Sequence, residues 1–296
     1  MIGVSSMTEK MVIMAAGISS RMRKSATDVQ LDENLLKQAD ETSKGMIRLG
    51  KAQRPFLDYL LNNVKHAGFR EIVMVIGEQA DEIRNYYGAK DRHNDFHGLD
   101  ISYAVQGIPE GRTRPWGTAD AVFQALDQYR EWEHTIFCLC NSDNLYSLHA
   151  LRSIREYPGD GAWINYDRNG FDFEPARVSS LSVTKVDQDG YLLDFIEKPT
   201  TEDIERVRDA SGIVGVNFNL FKFNYDLIYP YLRDCPINPI RHEKELPTAI
   251  LNMVKSHPHS MKAIPLKEHV PDLTRKGDIL SVQEYLNARF EDFIWN

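Results

Sequence analysis

The sequence predicts an α/β protein with a doubly wound, mostly parallel sheet. In the first half of the chain, short apolar runs typical of buried strands alternate with segments of helical periodicity. The second half is richer in strands, which are separated by Gly and Asp turns. No linker rich in Pro, Gly or Ser divides the 296 residues. We therefore expect one Rossmann-like domain over residues 1–296, with a mixed sheet, an antiparallel extension on the substrate side and a C-terminal helix.

The composition is that of a globular protein without a dominant charged surface. Hydrophobic residues make up 42% of the chain and charged residues 26%, and the net charge is −8. This acidic balance argues against a general binder of nucleic acid or membrane surfaces. Cys138 and Cys140 lie in the apolar run TIFCLC, which predicts core packing in a reducing compartment. With no apolar run near the ~20 residues of a membrane span, we expect a cytoplasmic protein.

The first half contains most of the predicted parallel sheet. Its expected elements are a strand at 11–14, a helix ending at Gly68, a strand at 71–77, a helix at 80–88, a strand at 99–106, a helix from 118 and a strand at 134–144. Residues 23–43 form a polar insertion, which we expect to cross the face of the site as a solvated segment with one short helix at 31–39.

The second half supplies the antiparallel extension. Its expected strands lie at 161–167, 179–199 and 212–223, and DQDG at 187–190 indicates a hairpin. Helices at about 225–233 and 243–256, a strand at 261–266 and a helix at 281–294 complete the chain.

The opening strand Met11–Met14 runs into a turn of small residues. Such a turn at the carboxyl edge of a sheet exposes backbone N–H groups, which attract anions and phosphates above all. Arg21, which follows, is a planar donor suited to phosphate oxygens. The stretch therefore predicts a phosphate site.

Six motifs in order extend this prediction over most of the chain. They are AAGISSRM, Lys44 before the PFLDYLL helix, Gln106 with GTADA, NSDN, FIEKP and VPDLTRKGDIL. Together they resemble the sugar-1-phosphate nucleotidylyltransferases, and GTADA is similar to bacterial glucose-1-phosphate adenylyltransferases. The resemblance implies a nucleotide-binding half at about 11–150 and a sugar-phosphate and metal half at about 151–296. It also implies a Mg²⁺-dependent reaction of a nucleoside triphosphate with a sugar 1-phosphate, which gives an NDP-sugar and pyrophosphate.

The resemblance assigns roles to individual residues. The expected catalytic cations are Arg21, Lys44 and Lys198. The expected nucleotide-binding residues are Ala15, Ala16, Gly17, Gln106, Gly117 and Thr118. Glu197, Gly215 and Asn217 are expected at the sugar, and Asp143 and Asp272 at the metal, with Asp278 as the competing second ligand.

The chemistry of these side chains is compatible with the expected binding roles and also with purely structural ones. The Gln106 amide can read a base edge, and Gly117 has no side chain to hold a base away. Thr118 is equally suited to cap its helix, and Glu197 and Lys198 to form a surface ion pair. Pro199 favours an extended backbone at Lys198, which would point the two preceding side chains apart.

Two other functions remain open. One is a cytidylyltransferase acting on a non-sugar phosphorylated acceptor, because AAGISSRM is also similar to the opening of such enzymes. The other is a non-catalytic sensor of nucleotides or NDP-sugars. In each case the partners are small molecules rather than nucleic acid or membrane, and a homo-oligomer is among the states that the sequence allows.

Overall fold

The computed structural model describes residues 7–17, 20–25, 31–291, 293 and 295, and of Ser20 and Arg21 the backbone alone. Its strands are β1 Lys10–Met14, β2 Arg48–Leu49, β3 Arg54–Pro55, β4 Glu71–Gly77, β5 Asn94–Phe96, β6 Leu99–Gln106, β7 Ile136–Asn141, β8 Ala162–Asp167, β9 Val183–Val186, β10 Leu192–Ile196, β11 Gly215–Asn224 and β12 Lys262–Leu266. Its α-helices are α1 Ser20–Lys24, α2 Glu33–Glu41, α3 Phe56–His66, α4 Asp81–Tyr87, α5 Thr118–Gln128, α6 Leu148–Glu156, α7 Pro175–Ser179, α8 Thr201–Val207, α9 Tyr225–Arg233, α10 Leu246–Ser256 and α11 Asp278–Arg289.

One ten-stranded sheet runs through both halves of the chain, in the order β10-β9-β11-β7-β1-β4-β6-β5, with β8 paired to β11 and β12 paired to β8. Strands β7, β1, β4 and β6 are parallel neighbours. Strand β11 is antiparallel to β7, β8 and β9, and β9 and β10 form the hairpin predicted at DQDG. The predicted mixed α/β sheet is thereby confirmed.

Alternating side chains of the strands build a core on each face of the sheet. In β1, Met11 and Ile13 pack into one core and Val12 into the other. Cys138 and Cys140 are buried in the first core with free thiols, which confirms the predicted packing role. Because both faces are covered, the parallel strands read as near-continuous apolar runs.

The predicted helix within the polar insertion is confirmed as α2. Asp32 Oδ1 accepts a hydrogen bond from Leu35 N at 2.8 Å and so caps the helix start. Leu35 and Ala39 are the buried face. Residues 26–30 of the insertion lie outside the described ranges.

The last helix differs from the prediction, since α11 begins at Asp278 and ends at Arg289. Beyond it, Phe293 packs on Tyr59 with ring centroids 5.0 Å apart, and Trp295 Nε1 lies 3.4 Å from the buried Asp58. Burial of these rings against α3 replaces a further helical turn. In the described part of the chain, no helix combines the length and apolar character that crossing a bilayer requires.

Candidate active site

A cavity of about 360 Å³ opens at the carboxyl edge of the parallel strands. The ends of β1, β6 and β7 meet there because parallel neighbours place their last residues at one edge of a sheet. Its lining residues include Ala15, Ala16, Gly17, Ser43, Lys44, Gln106, Arg114, Gly117, Thr118, Asn141, Ser142, Asp143, Asn219 and Glu243. The volume is within the range of small-molecule sites.

The small-residue turn after β1 forms one wall of this cavity. Ala15 N donates to Val75 O at 2.8 Å, which ties the turn to the neighbouring strand. A Cβ built on Gly17 would meet no described atom within 4 Å, so Gly17 borders open space. The predicted phosphate contact of Arg21 falls on a side chain outside the described part of the chain.

Lys44 and Asp143 face each other across the cavity wall. Lys44 begins a 3₁₀ turn, Lys44–Met46, and its Nζ lies 2.8 Å from Asp143 Oδ2. Asp143 follows the end of β7, and both side chains are largely buried, at 12% and 24% exposure. The structure thus brings together an ammonium and a carboxylate that lie 99 positions apart in the sequence.

The nucleotide-binding residues predicted around α5 also line the cavity. Gln106 ends β6 and is 4% exposed. Gly117 has φ +113°, and a Cβ there would come within 2.8 Å of Lys244 O, so the position requires glycine. Thr118 does not cap its own helix, because Gly117 occupies the N-cap and the Thr118 hydroxyl accepts from Leu246 N at 2.9 Å.

The two candidate second metal ligands are joined by one arginine. Arg177, on α7, donates to Asp272 and to Asp278. Asp278 Oδ2 also accepts from the backbone N–H groups of Thr274 and Arg275, and Thr274 Oγ1 donates to Asp272 Oδ1 at 2.7 Å. The carboxylates are therefore held by protein groups on several sides.

The carboxyl group of Asp272 also interacts electrostatically with the carboxylate of Asp143. Residues 143–145 pair with 271–273, through Leu273 N to Asp143 O and Leu145 N to Pro271 O, each at 2.9 Å. Burial raises the pKa of the Asp272 carboxyl above its ordinary value, and the negative charge of Asp143 raises it further, while Arg177 opposes both.

This donor set is chemically suited to Mg²⁺. The cation prefers carboxylate oxygens, and it commonly takes one or two of them together with substrate phosphates. Asp143 and Asp272 are two such groups, and they repel each other. Within the described ranges no three His, Cys, Asp or Glu side chains form a metal cluster. The pair is therefore too small for an all-protein cage, and of the two only Asp143 lines the cavity, since the oxygens of Asp272 face Arg177 and Thr274 outside that lining.

Glu197 and Lys198 do not line the cavity. Both are exposed after the end of β10, and Glu197 Oε2 lies 3.7 Å from Arg241. Lys198 has φ +49°, so the extended backbone predicted for it is wrong. The start of α8 fixes the chain directly beyond Pro199, because Thr200 and Asp203 form a capping box. A left-handed non-glycine backbone costs about 1–3 kcal/mol and persists where its surroundings hold it.

Gly215 and Asn217 lie in β11, also outside the cavity lining. A Cβ on Gly215 would come within 2.3 Å of Asn165 Oδ1, so close packing alone accounts for this glycine. Asn217 Nδ2 donates to Asn219 Oδ1 at 3.0 Å, and Asn219 N donates back to Asn217 Oδ1 at 2.8 Å. The register of β11 shifts here, and Asn219, with φ +54°, is the residue that reaches the cavity.

Sequence reasoning assigned no site role to Asn219, Arg177 or Glu243. Neither Arg177 nor Glu243 lies in a local sequence pattern, because the tertiary fold alone brings Arg177 to its two aspartates and Glu243 to the cavity. The alternation NFNLF around Asn219 does indicate an irregular strand, since two asparagines in an apolar strand favour a bulge or turn.

Comparison with known proteins shows the family to which this chain belongs. The sequence model of the nucleotidyl transferase family matches residues 39–265. A glucose-1-phosphate adenylyltransferase of Paraburkholderia phytofirmans is 25% identical over 248 residues, or 79% of this chain and 56% of the relative. One from Rhodopseudomonas palustris is 21% identical, over 87% of this chain and 61% of the relative. The chain thus spans less than two thirds of the length of these relatives.

The fold has a solved counterpart. A crystal structure of UDP-glucose pyrophosphorylase complexed with UDP-glucose aligns with a TM-score of 0.66 and 16% identity, covering 96% of this chain and all of the other. At this identity the likeness concerns the fold alone. The resemblance drawn from the six motifs is confirmed by the family match, which covers most of the sequence. The chain belongs to the nucleotidyl transferase family.

Proposed function

We propose that the protein transfers a nucleotidyl group from a nucleoside triphosphate to a sugar 1-phosphate. A phosphate oxygen of the sugar 1-phosphate attacks the α-phosphorus, the bond from this phosphorus to the oxygen bridging to the β-phosphate breaks, and pyrophosphate leaves. The observation that carries this proposal is the Lys44–Asp143 pair in a cavity built from the ends of β1, β6 and β7. ATP and glucose 1-phosphate are the first substrates to test, because the curated relatives are named for them.

Displacement at phosphorus needs alignment and cancellation of negative charge more than covalent help. Beyond Ala15, whose N–H is bonded to Val75 O, the turn offers the backbone N–H groups of Ala16 and Gly17 at the cavity wall. Lys44 Nζ provides a largely buried positive charge. Asp143 and Asp272 would hold Mg²⁺, which when bound offsets the mutual repulsion of the two phosphorylated reactants.

The roles of Arg21, Glu197, Lys198, Gly215 and Asn217 remain part of the proposal. Lys198 would reach the sugar phosphate and Glu197 the sugar hydroxyls from the rim of the site. A cytoplasmic location stays a prediction, as does the absence of nucleic-acid and membrane partners.

A panel experiment tests the reaction. Each nucleoside triphosphate is combined with Mg²⁺ and a series of sugar 1-phosphates or phosphorylated non-sugar acceptors, and pyrophosphate release is measured. We expect release with a sugar 1-phosphate. Release only with a non-sugar acceptor would support the cytidylyltransferase alternative, whereas nucleotide binding without any release would support a sensor.

A thermal-shift screen of the same nucleotides provides the parallel binding measurement. A ligand that binds the folded state raises the melting temperature by mass action. Agreement between the triphosphate that stabilises most and the one that releases pyrophosphate would identify the nucleobase.

A further inference from the structure

The amide of Gln106 is fixed in one orientation by a chain of buried polar groups. Gln106 Nε2 donates to Gly117 O and to Asp120 Oδ2, each at 3.0 Å. Both partners are acceptors, so the amide nitrogen rather than the oxygen must face them. Gln106 and Asp120 are 4% and 6% exposed, which leaves water little access to this contact.

A backbone N–H group fixes the direction of every hydrogen bond in this series of polar groups. Gly107 N donates to Gln124 Oε1 at 2.9 Å, which turns the Gln124 amide nitrogen to Asp120 Oδ2 at 2.7 Å. A backbone N–H can only donate, so the Gln124 amide has one orientation. Asp120 thus receives two amide donors, and neither glutamine can flip without placing an oxygen against a carboxylate.

The consequence appears in the cavity. Gln106 lines it, and with its nitrogen committed to Gly117 and Asp120 the group left for a ligand is Oε1. Among the residues that the structure describes, none donates a hydrogen bond to this oxygen, and it is not sealed in the protein. The wall therefore presents a hydrogen-bond acceptor and no donor from this side chain.

We propose that Asp120 is a positioning residue that sets nucleobase choice, by holding Gln106 so that its Oε1 accepts from the 6-amino group of adenine. The inference rests on the proposed function, in which ATP is the first triphosphate to test. At this ring position adenine donates, whereas a 6-oxo purine offers an oxygen that would repel Oε1. Asp120 acts through Gln106 and does not touch the base.

The test measures binding, so it does not depend on turnover. Isothermal titration compares ATP with purine riboside triphosphate, which lacks the 6-amino group, on the full chain. One hydrogen bond to a neutral acceptor corresponds to about 3- to 10-fold in affinity. We expect the wild-type protein to prefer ATP by this factor.

Variants separate the role of Asp120 from general stability. Asp120→Ala removes the acceptor, and the preference for ATP should fall to within about twofold because Gln106 can then rotate. Asp120→Asn retains an oxygen that can accept from both glutamines, so the preference should survive. Asp127→Ala, an exposed aspartate on the same helix, should leave the preference unchanged.

Each outcome decides the matter. Equal affinity for the two nucleotides in the wild-type protein, or absence of ATP binding, would overturn the assignment to adenine. An unchanged preference for ATP in a folded Asp120→Ala protein would overturn the positioning role. If that variant does not fold, loss of the preference in the Asp120→Asn protein would overturn the positioning role instead. Preference for ATP without pyrophosphate release would leave this inference supported and refute the proposed function instead.

Discussion

The two halves of the predicted site differ in how the fold assembles them. The nucleotide half is built from the ends of β1, β6 and β7, and its predicted residues from Ala15 to Asp143 converge on one cavity, apart from the undescribed Arg21 side chain. The sugar half lies on the antiparallel extension, and Glu197, Lys198, Gly215 and Asn217 stand outside that cavity lining. Parallel strands bring their ends together by topology alone, whereas the extension depends on bends and bulges that topology does not specify.

The largest expected effect tests the nucleotide half. Asp143→Asn keeps the size of the side chain but removes the charge beside Lys44, and turnover should fall by about 100-fold or more while the fold persists. Steady-state pyrophosphate release and a thermal melt measure the two quantities. Asp189→Asn, an exposed aspartate in the DQDG turn, is the matched control. A loss below tenfold in a folded variant would remove Asp143 from the centre of the reaction.

The second prediction concerns the arginine that joins the extension to the rest of the site. Arg177→Met leaves Asp272 and Asp278 without their shared guanidinium, and the free energy of unfolding should fall by about 2 kcal/mol, since the pair is only partly buried. Urea unfolding at pH 7 measures this loss.

The pH dependence of that loss identifies its origin. The pKa of Asp272 is already raised by burial and by Asp143, and removing Arg177 raises it further. A carboxyl whose pKa is raised in the folded state lowers the free energy of unfolding as the pH rises above its unfolded-state pKa. The loss of unfolding free energy in the variant should therefore shrink toward pH 4. Arg206→Met, an exposed control, should cost at most about 0.5 kcal/mol. A deficit independent of pH would point to lost packing on Phe173 instead.

The third prediction sharpens the sugar half. Lys198→Met should raise KM for the sugar 1-phosphate by about tenfold, as expected for one charge-assisted hydrogen bond, and leave KM for the triphosphate unchanged. Lys255→Met, on the exposed end of α10, is the control. If the KM values for the sugar 1-phosphate and for the triphosphate both stay as in the wild-type protein, Lys198 is a surface residue. The residues that bind the sugar must then be sought around Asn219.

The smallest expected effect concerns His269, whose ring centroid lies 4.9 Å from that of Phe173, the ring on which Arg177 packs. Asp172 N donates to His269 Nδ1 at 3.2 Å, and burial lowers the pKa of this histidine. Because the folded state resists protonation, stability should be full above about pH 6.5 and decline as the pH falls below it. Melting curves at pH 7.5 and 5.5 should show a smaller decline for His269→Gln, but not for the exposed control His66→Gln. Equal declines in all three proteins would contradict this assignment.

The sequence could predict the sheet and the nucleotide wall because their signals are local. Apolar runs marked the parallel strands, and the residues at their ends could be placed by a general rule of α/β folds. Lys198 could not be placed so, because its left-handed backbone departs from the usual preference of a residue before proline. The Arg177 bridge joins positions 95 and 101 residues away, and no local pattern encodes such a distance.

The shared sheet has a consequence for dividing the chain. Strand β11 lies directly against β7, so the first and second halves are hydrogen-bonded along one ladder. A gene split between residues 157 and 161 would leave β7 with an open apolar edge in one fragment and β11 with another in its complement. Neither fragment should stay monodisperse alone, and co-expression should recover a single species because each edge is the natural cover of the other.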